Sequence, residues 1–139
     1  MGDTKLVLLL EDILPKLPLT PSSVVSLCGV RLLTFVAELN YLEVWATDIG
    51  NAYLESYTQE RVCVITGSKF GDQQGHTLVI CKALYGLKSS GLCWRERLSH
   101  ILCDMGFVLS KAEHDIWMRD CETNYEHVAV YVDGLLIGS

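Results

Sequence analysis

Apolar positions at Val25, Cys28, Leu32, Phe35, Val36 and Leu39 recur at intervals of three and four residues. That period belongs to one face of a helix, so the spacing predicts a helix over 23–39 with Ser22 or Ser23 as N-cap and Asn40 as its stop. Tyr41–Thr47 is rich in aromatic and β-branched residues and reads as a strand ending at Asp48. Arg61–Thr66 and Thr77–Lys82 read as two further strands joined by the glycine-punctuated loop GSKFGDQQG. A second helix is predicted from Ser90 to Met105, with Trp94, Leu98, Ile101, Leu102 and Met105 on one face and Gly106 just past its end. Residues 115–119 form a short strand candidate. Val128–Val132 and Leu135–Ile137 then flank Asp133-Gly134, an Asp-Gly pair that predicts a hairpin turning on those two residues. The result is an α+β fold. Its antiparallel sheet is packed by two helices, both expected on one face, burying Leu32/Phe35/Val36 and Trp94/Leu98/Ile101.

No repeat or linker divides the 139 residues, and 50% of them are apolar, so a single domain with a core is expected and a disordered chain is excluded. The net charge of −6 disfavours non-specific nucleic-acid binding by the whole surface. The charge is unevenly spread, however. Residues 61–103 hold 6 basic and 2 acidic groups, between an N-terminal stretch with 3 basic and 8 acidic and a C-terminal one with 2 and 7. The six cysteines lack any Cys-x-x-Cys pair and read as reduced, mostly buried thiols of an intracellular chain. The run Leu6–Leu10 is too short for a signal peptide and no stretch is apolar enough to span a membrane, so no membrane contact is expected.

The residues with the most chemical potential are Asp48 and Asp133, acidic groups at strand ends. If their strands are neighbours, the two carboxylates would come close enough to share a divalent cation, the arrangement on which two-metal phosphoryl transfer rests. Strand-end aspartates also serve commonly as turn and cap residues. The spacing alone leaves both uses open.

From Ser23 onward, four segments in register resemble the reverse transcriptase of copia-type (Ty1/copia) retrotransposons. WATDIGNAYLE (45–55) resembles the first catalytic motif, and ICKALYGLKSSGLCW (80–94) the segment that opens a palm helix. GFVLSKAEHDIWM (106–118) resembles the stretch that follows, and AVYVDGLLIGS (129–139) the hairpin with the Tyr-x-Asp-Asp signature. The resemblance implies a palm with partial fingers: residues 1–22 a degenerate part of the fingers, 23–139 the palm with the remaining fingers, and neither thumb nor RNase H. It implies Asp48 and Asp133 as catalytic, metal-binding carboxylates for Mg²⁺ or Mn²⁺. Ile49, in the main chain after Asp48, would run beside the incoming triphosphate, and Tyr53 would select deoxynucleotides. Gly86 and Lys88 would pack under the nucleotide, and Arg95 and Arg97 would either meet phosphates or form a solvated helix face. The implied partners are an RNA or DNA template with primer, dNTP and the rest of a Gag-Pol type polyprotein, in the cytoplasm.

Two positions depart from the pattern. Gly134 replaces the second Asp of the signature, and Val7 falls where an Arg following Lys5 would help hold the triphosphate. These losses imply a catalytically impaired copy, since preorganised charge is usually the largest catalytic contribution, and the expected lack of thumb and RNase H implies a truncated one. Two other readings stand beside it: a non-catalytic nucleic-acid-binding remnant that uses the basic block, and an inert soluble α+β domain.

Overall fold

The computed structural model describes residues 24–139, so the expected caps Ser22 and Ser23, the comparison of Lys5 with Val7 and the whole 1–22 segment lie outside the described residues. The first helix, α1, runs Leu27–Leu39. Its N-cap is Ser26, whose Oγ accepts the Gly29 N–H at 2.9 Å, and Asn40 ends it as expected. Strand β1 is Val44–Asp48, shorter than the pattern predicts because Tyr41 turns the chain at φ 55°. A 3₁₀ turn over Ala52–Glu55 leads into β2 (Tyr57–Ile65), which pairs antiparallel with β3 (Thr77–Lys82) as a separate two-stranded sheet. Helix α2 spans Ser90–Asp104, with Gly106 just past its Met105 cap at φ 85°, the left-handed position that glycine fills without strain. Then come β4 (Val108–Leu109), β5 (Ile116–Asp120), β6 (Tyr125–Tyr131) and β7 (Gly134–Gly138).

The main sheet is antiparallel throughout, in the order β1-β7-β6-β5-β4. The two helices do not share a face, contrary to the expectation from sequence. Side chains alternate across a strand, so successive residues choose different helices. Val128, Val130, Leu135 and Ile137 pack with Trp94, Leu98 and Leu102 of α2, whereas Ala129 and Leu136 pack with Leu33 and Val30 of α1. The sheet is thus covered on both sides, by one helix on each.

The buried face of α1 is also not the expected one. Gly29, Leu33 and Ala37 are buried, while Leu32, Phe35 and Leu39 are 49%, 61% and 61% exposed. The reason is close approach. A Cβ built on Gly138 would meet Leu33 Cδ2 and Ala37 Cβ, both at 3.6 Å, so Leu33 and Ala37, one helical turn apart on α1, rest on β7 where Gly138 has no side chain. On α2 the expectation holds for Trp94, Leu98 and Leu102, at 3%, 5% and 4% exposure, and less well for Ile101 and Met105. Ile101 is half-buried and Met105 is 52% exposed, because both border an open groove of about 420 Å³ between α2 and the sheet. Of the six free thiols only Cys93 is buried. Cys28, Cys63 and Cys81 are exposed, which corrects the expectation of mostly buried cysteines. They lie on α1 and on the two-stranded sheet, elements with little mass packed over them.

Candidate functional site

The ends of β1 and β7 meet where the two aspartates lie. In the β1–β7 ladder Asp48 stands directly across from Gly134, and the Ile49 N–H donates to the Asp133 carbonyl at 2.9 Å. Strand neighbourhood, the precondition for a shared cation, is therefore met by the backbone.

The hairpin holding Asp133 turns on different residues from those expected. Tyr131 pairs with Gly134, so the two turn residues are Val132 and Asp133, not Asp133 and Gly134. Val132 takes φ 57°, an unusual state for a β-branched residue, and Gly134 needs no positive φ. Such strain costs on the order of 1–3 kcal/mol and persists only when surrounding contacts fix it. Here the contact is Trp94, whose indole Nε1–H donates to the Val132 carbonyl at 2.8 Å. Helix α2 thereby aims the turn. Glycine at 134 is then a missing side chain and not a backbone requirement: a Cβ there would lie 3.4 Å from the Tyr131 carbonyl oxygen, ordinary contact distance.

A third group joins the pair. Tyr85 O–H donates to Asp133 Oδ2 at 3.0 Å, and its ring lies against that of Tyr53, centroids 4.3 Å apart at 40°. The hydrogen bond to Asp133 first, then partial desolvation and the charges of Asp133 and Asp48, hold the Tyr85 phenol above its ordinary range. It therefore stays a proton donor through neutral pH. A tight turn puts it there. Leu87 N–H donates to the Leu84 carbonyl at 3.2 Å, with Tyr85 and Gly86 as the central residues and Gly86 at φ 99°, as a type II turn demands. The Ser90 hydroxyl fastens the same Leu84 carbonyl at 2.6 Å.

The remaining candidates divide. Tyr53 is half-buried beside Tyr85, and Ile49 packs its side chain against the α2 core while its amide is committed to Asp133. Gly86 adjoins Tyr85 in the turn. Lys88 is exposed at the start of α2, where the neighbouring Ser89 N–H donates to Glu60 Oε1 at 2.6 Å. Arg95 is not on a solvated face. It pairs with Asp115 at 2.8 Å and donates to the His114 carbonyl at 3.2 Å, holding α2 to the loop before β5. Arg97 borders the open groove. Tyr85 lies within ICKALYGLKSSGLCW, yet nothing local in the sequence marks it, because its partner is 48 residues away.

The donor chemistry suits a hard cation. Mg²⁺ commonly takes one or two carboxylates and leaves its other positions to water and substrate phosphate, so Asp48 and Asp133 fit it in kind. The set is thin. Among the described residues no group of three or more His, Cys, Asp or Glu side chains gathers as a metal site. Nor is any helix among them long and apolar enough to cross a membrane.

Comparison with known proteins follows the same line. The family described as reverse transcriptase (RNA-dependent DNA polymerase) matches residues 17–139. A Saccharomyces cerevisiae protein ascribed to transposon Ty5-1 is 30% identical over 94 residues, 66% of this chain and 30% of that protein. The retrovirus-related Pol polyproteins from transposons RE1 and RE2 of Arabidopsis thaliana are each 28% identical over 120 residues, 85% of this chain and 8% of each polyprotein. The chain thus spans less than a third of the length of these relatives. No solved structure matches it significantly.

Proposed function

This chain belongs to the reverse transcriptase (RNA-dependent DNA polymerase) family, and from that premise we propose that residues from Ser23 onward are the palm, with remaining fingers, of a retrotransposon polymerase that is catalytically impaired. The observation that carries the reading is the junction of β1 and β7: Asp48 opposite Gly134, with Ile49 N–H on the Asp133 carbonyl at 2.9 Å. The reaction is RNA-directed DNA synthesis by nucleotidyl transfer. Asp48 and Asp133 would hold Mg²⁺ or Mn²⁺, which when bound supplies charge neutralisation at the phosphoryl group and the attacking oxygen. Tyr53 shapes the sugar side of the pocket, and Gly86 and Lys88 border the nucleotide. The template–primer, dNTP and the rest of a Gag-Pol type polyprotein are the partners of this reading, and the cytoplasm is its compartment.

Impairment follows from position 134. A residue there faces Asp48 across the ladder, where directly opposed Cβ atoms lie roughly 4.5–5.5 Å apart. Glycine leaves that place without a charge. The expected outcome is weak Mn²⁺ binding by the unaltered chain, tighter binding by Gly134→Asp and none measurable by Asp133→Asn. Titration of Mn²⁺ followed by electron paramagnetic resonance of the free ion measures all three. Unchanged affinity in Gly134→Asp would remove the hairpin from the site.

A further inference from the structure

We propose that Tyr85 is a positioning residue for Asp133, holding one carboxylate oxygen so that the other is presented to the cation. The inference rests on the reading of Asp133 as a metal ligand and adds to it a residue with no role so far. A carboxylate on a turn residue is free to rotate about two bonds, and each orientation it samples weakens a site built from only two such groups. The Tyr85 O–H bond to Oδ2, at 3.0 Å, removes that freedom and leaves Oδ1 as the ligand atom. Outer partners of this kind hold ligating carboxylates in place, and their loss typically costs about 10–100-fold in metal affinity.

The tyrosine is itself held. Its ring rests on Tyr53, its backbone occupies the first corner of a turn that Gly86 closes at φ 99°, and the Ser90 hydroxyl fixes that turn to the start of α2. Tyr85 is nevertheless 62% exposed, so its contribution to the core is small and its orientation serves the hydroxyl. The same α2 aims the Asp133 backbone through the Trp94–Val132 bond, so one helix sets both halves of the hydrogen bond.

Tyr85→Phe keeps the ring and the Tyr53 contact and removes only the donor. Mn²⁺ titration of the whole chain should show the dissociation constant rise about tenfold, with the melting temperature unchanged. Tyr57→Phe, which removes the hydroxyl of an exposed tyrosine on β2, should leave the affinity as it was. Unchanged or tighter Mn²⁺ binding in Tyr85→Phe overturns the proposal, as does an equal loss in Tyr57→Phe or a loss accompanied by a lowered melting temperature. Asp133→Asn separates the two layers of the argument. If it abolishes binding while Tyr85→Phe does nothing, only the positioning role falls. If it too leaves binding intact, the site reading falls first.

Discussion

Replacing Trp94 with alanine should destabilise the protein by about 3–5 kcal/mol, the range for deleting a large core aromatic. Trp94 is 3% exposed and packs in the cluster with Leu98, Leu102, Phe107, Trp117, Val128 and Val130. It carries a second load, the hydrogen bond to the strained Val132 turn at 2.8 Å. Trp94→Phe separates the two: most of the packing survives, and the expected loss is about 1 kcal/mol for a half-buried carbonyl left without its donor. Urea unfolding measures both. An effect within about 0.5 kcal/mol for Trp94→Ala would mean that α2 packs on the sheet through another face.

Leu33→Ala should cost about 2–5 kcal/mol, whereas Leu32→Ala, one residue earlier, should stay within about 0.5 kcal/mol. Leu33 is 2% exposed in the cluster with Val25, Ile116 and Ala129, and Leu32 is 49% exposed. Reversal of that order would restore the face that the hydrophobic period selects and contradict the packing of α1 on β7. The exposed row Leu32, Phe35 and Leu39 should meanwhile make the isolated chain prone to associate, as exposed apolar patches commonly do.

The contrast between these two helices shows what the residue pattern carries. On α2 the contact is made by large residues at helical spacing, so the period finds Trp94 and Leu98. On α1 it is made by Gly29, Leu33 and Ala37, and two of those three are too small to register in a hydrophobic period. The larger Cys28, Leu32 and Phe35 therefore drew the prediction to the wrong side. Strand existence was legible from β-branched and aromatic content, as in Thr77–Lys82, which is observed with the predicted bounds. Which face each strand offers to which helix was not, because Val128, Ala129 and Val130 are all apolar and a sheet covered on both sides shows no alternation.

The site divides in the same way. Asp48 and Asp133 were legible as strand-end carboxylates, and the motif register brings them to adjacent strands. The turn was misplaced by one residue, since Asp-Gly is a strong turn signal and a valine at φ 57° is not one that any propensity would choose. That state exists because a helix 38 residues away in sequence holds its carbonyl. Tyr85 was hidden for the same physical reason: its role is a long-range contact, and local sequence holds no record of it.

Primer extension on an RNA template, with Mg²⁺ or Mn²⁺ and dNTPs, puts the central claim to its most direct trial. The unaltered chain should add few or no nucleotides, Asp48→Asn should remove whatever remains, and Gly134→Asp should not bring back processive synthesis, because one carboxylate does not supply the grip on a primer–template duplex. Extension by the unaltered chain at a rate comparable to intact enzymes of the family, or a residual rate indifferent to Asp48→Asn, would contradict the account.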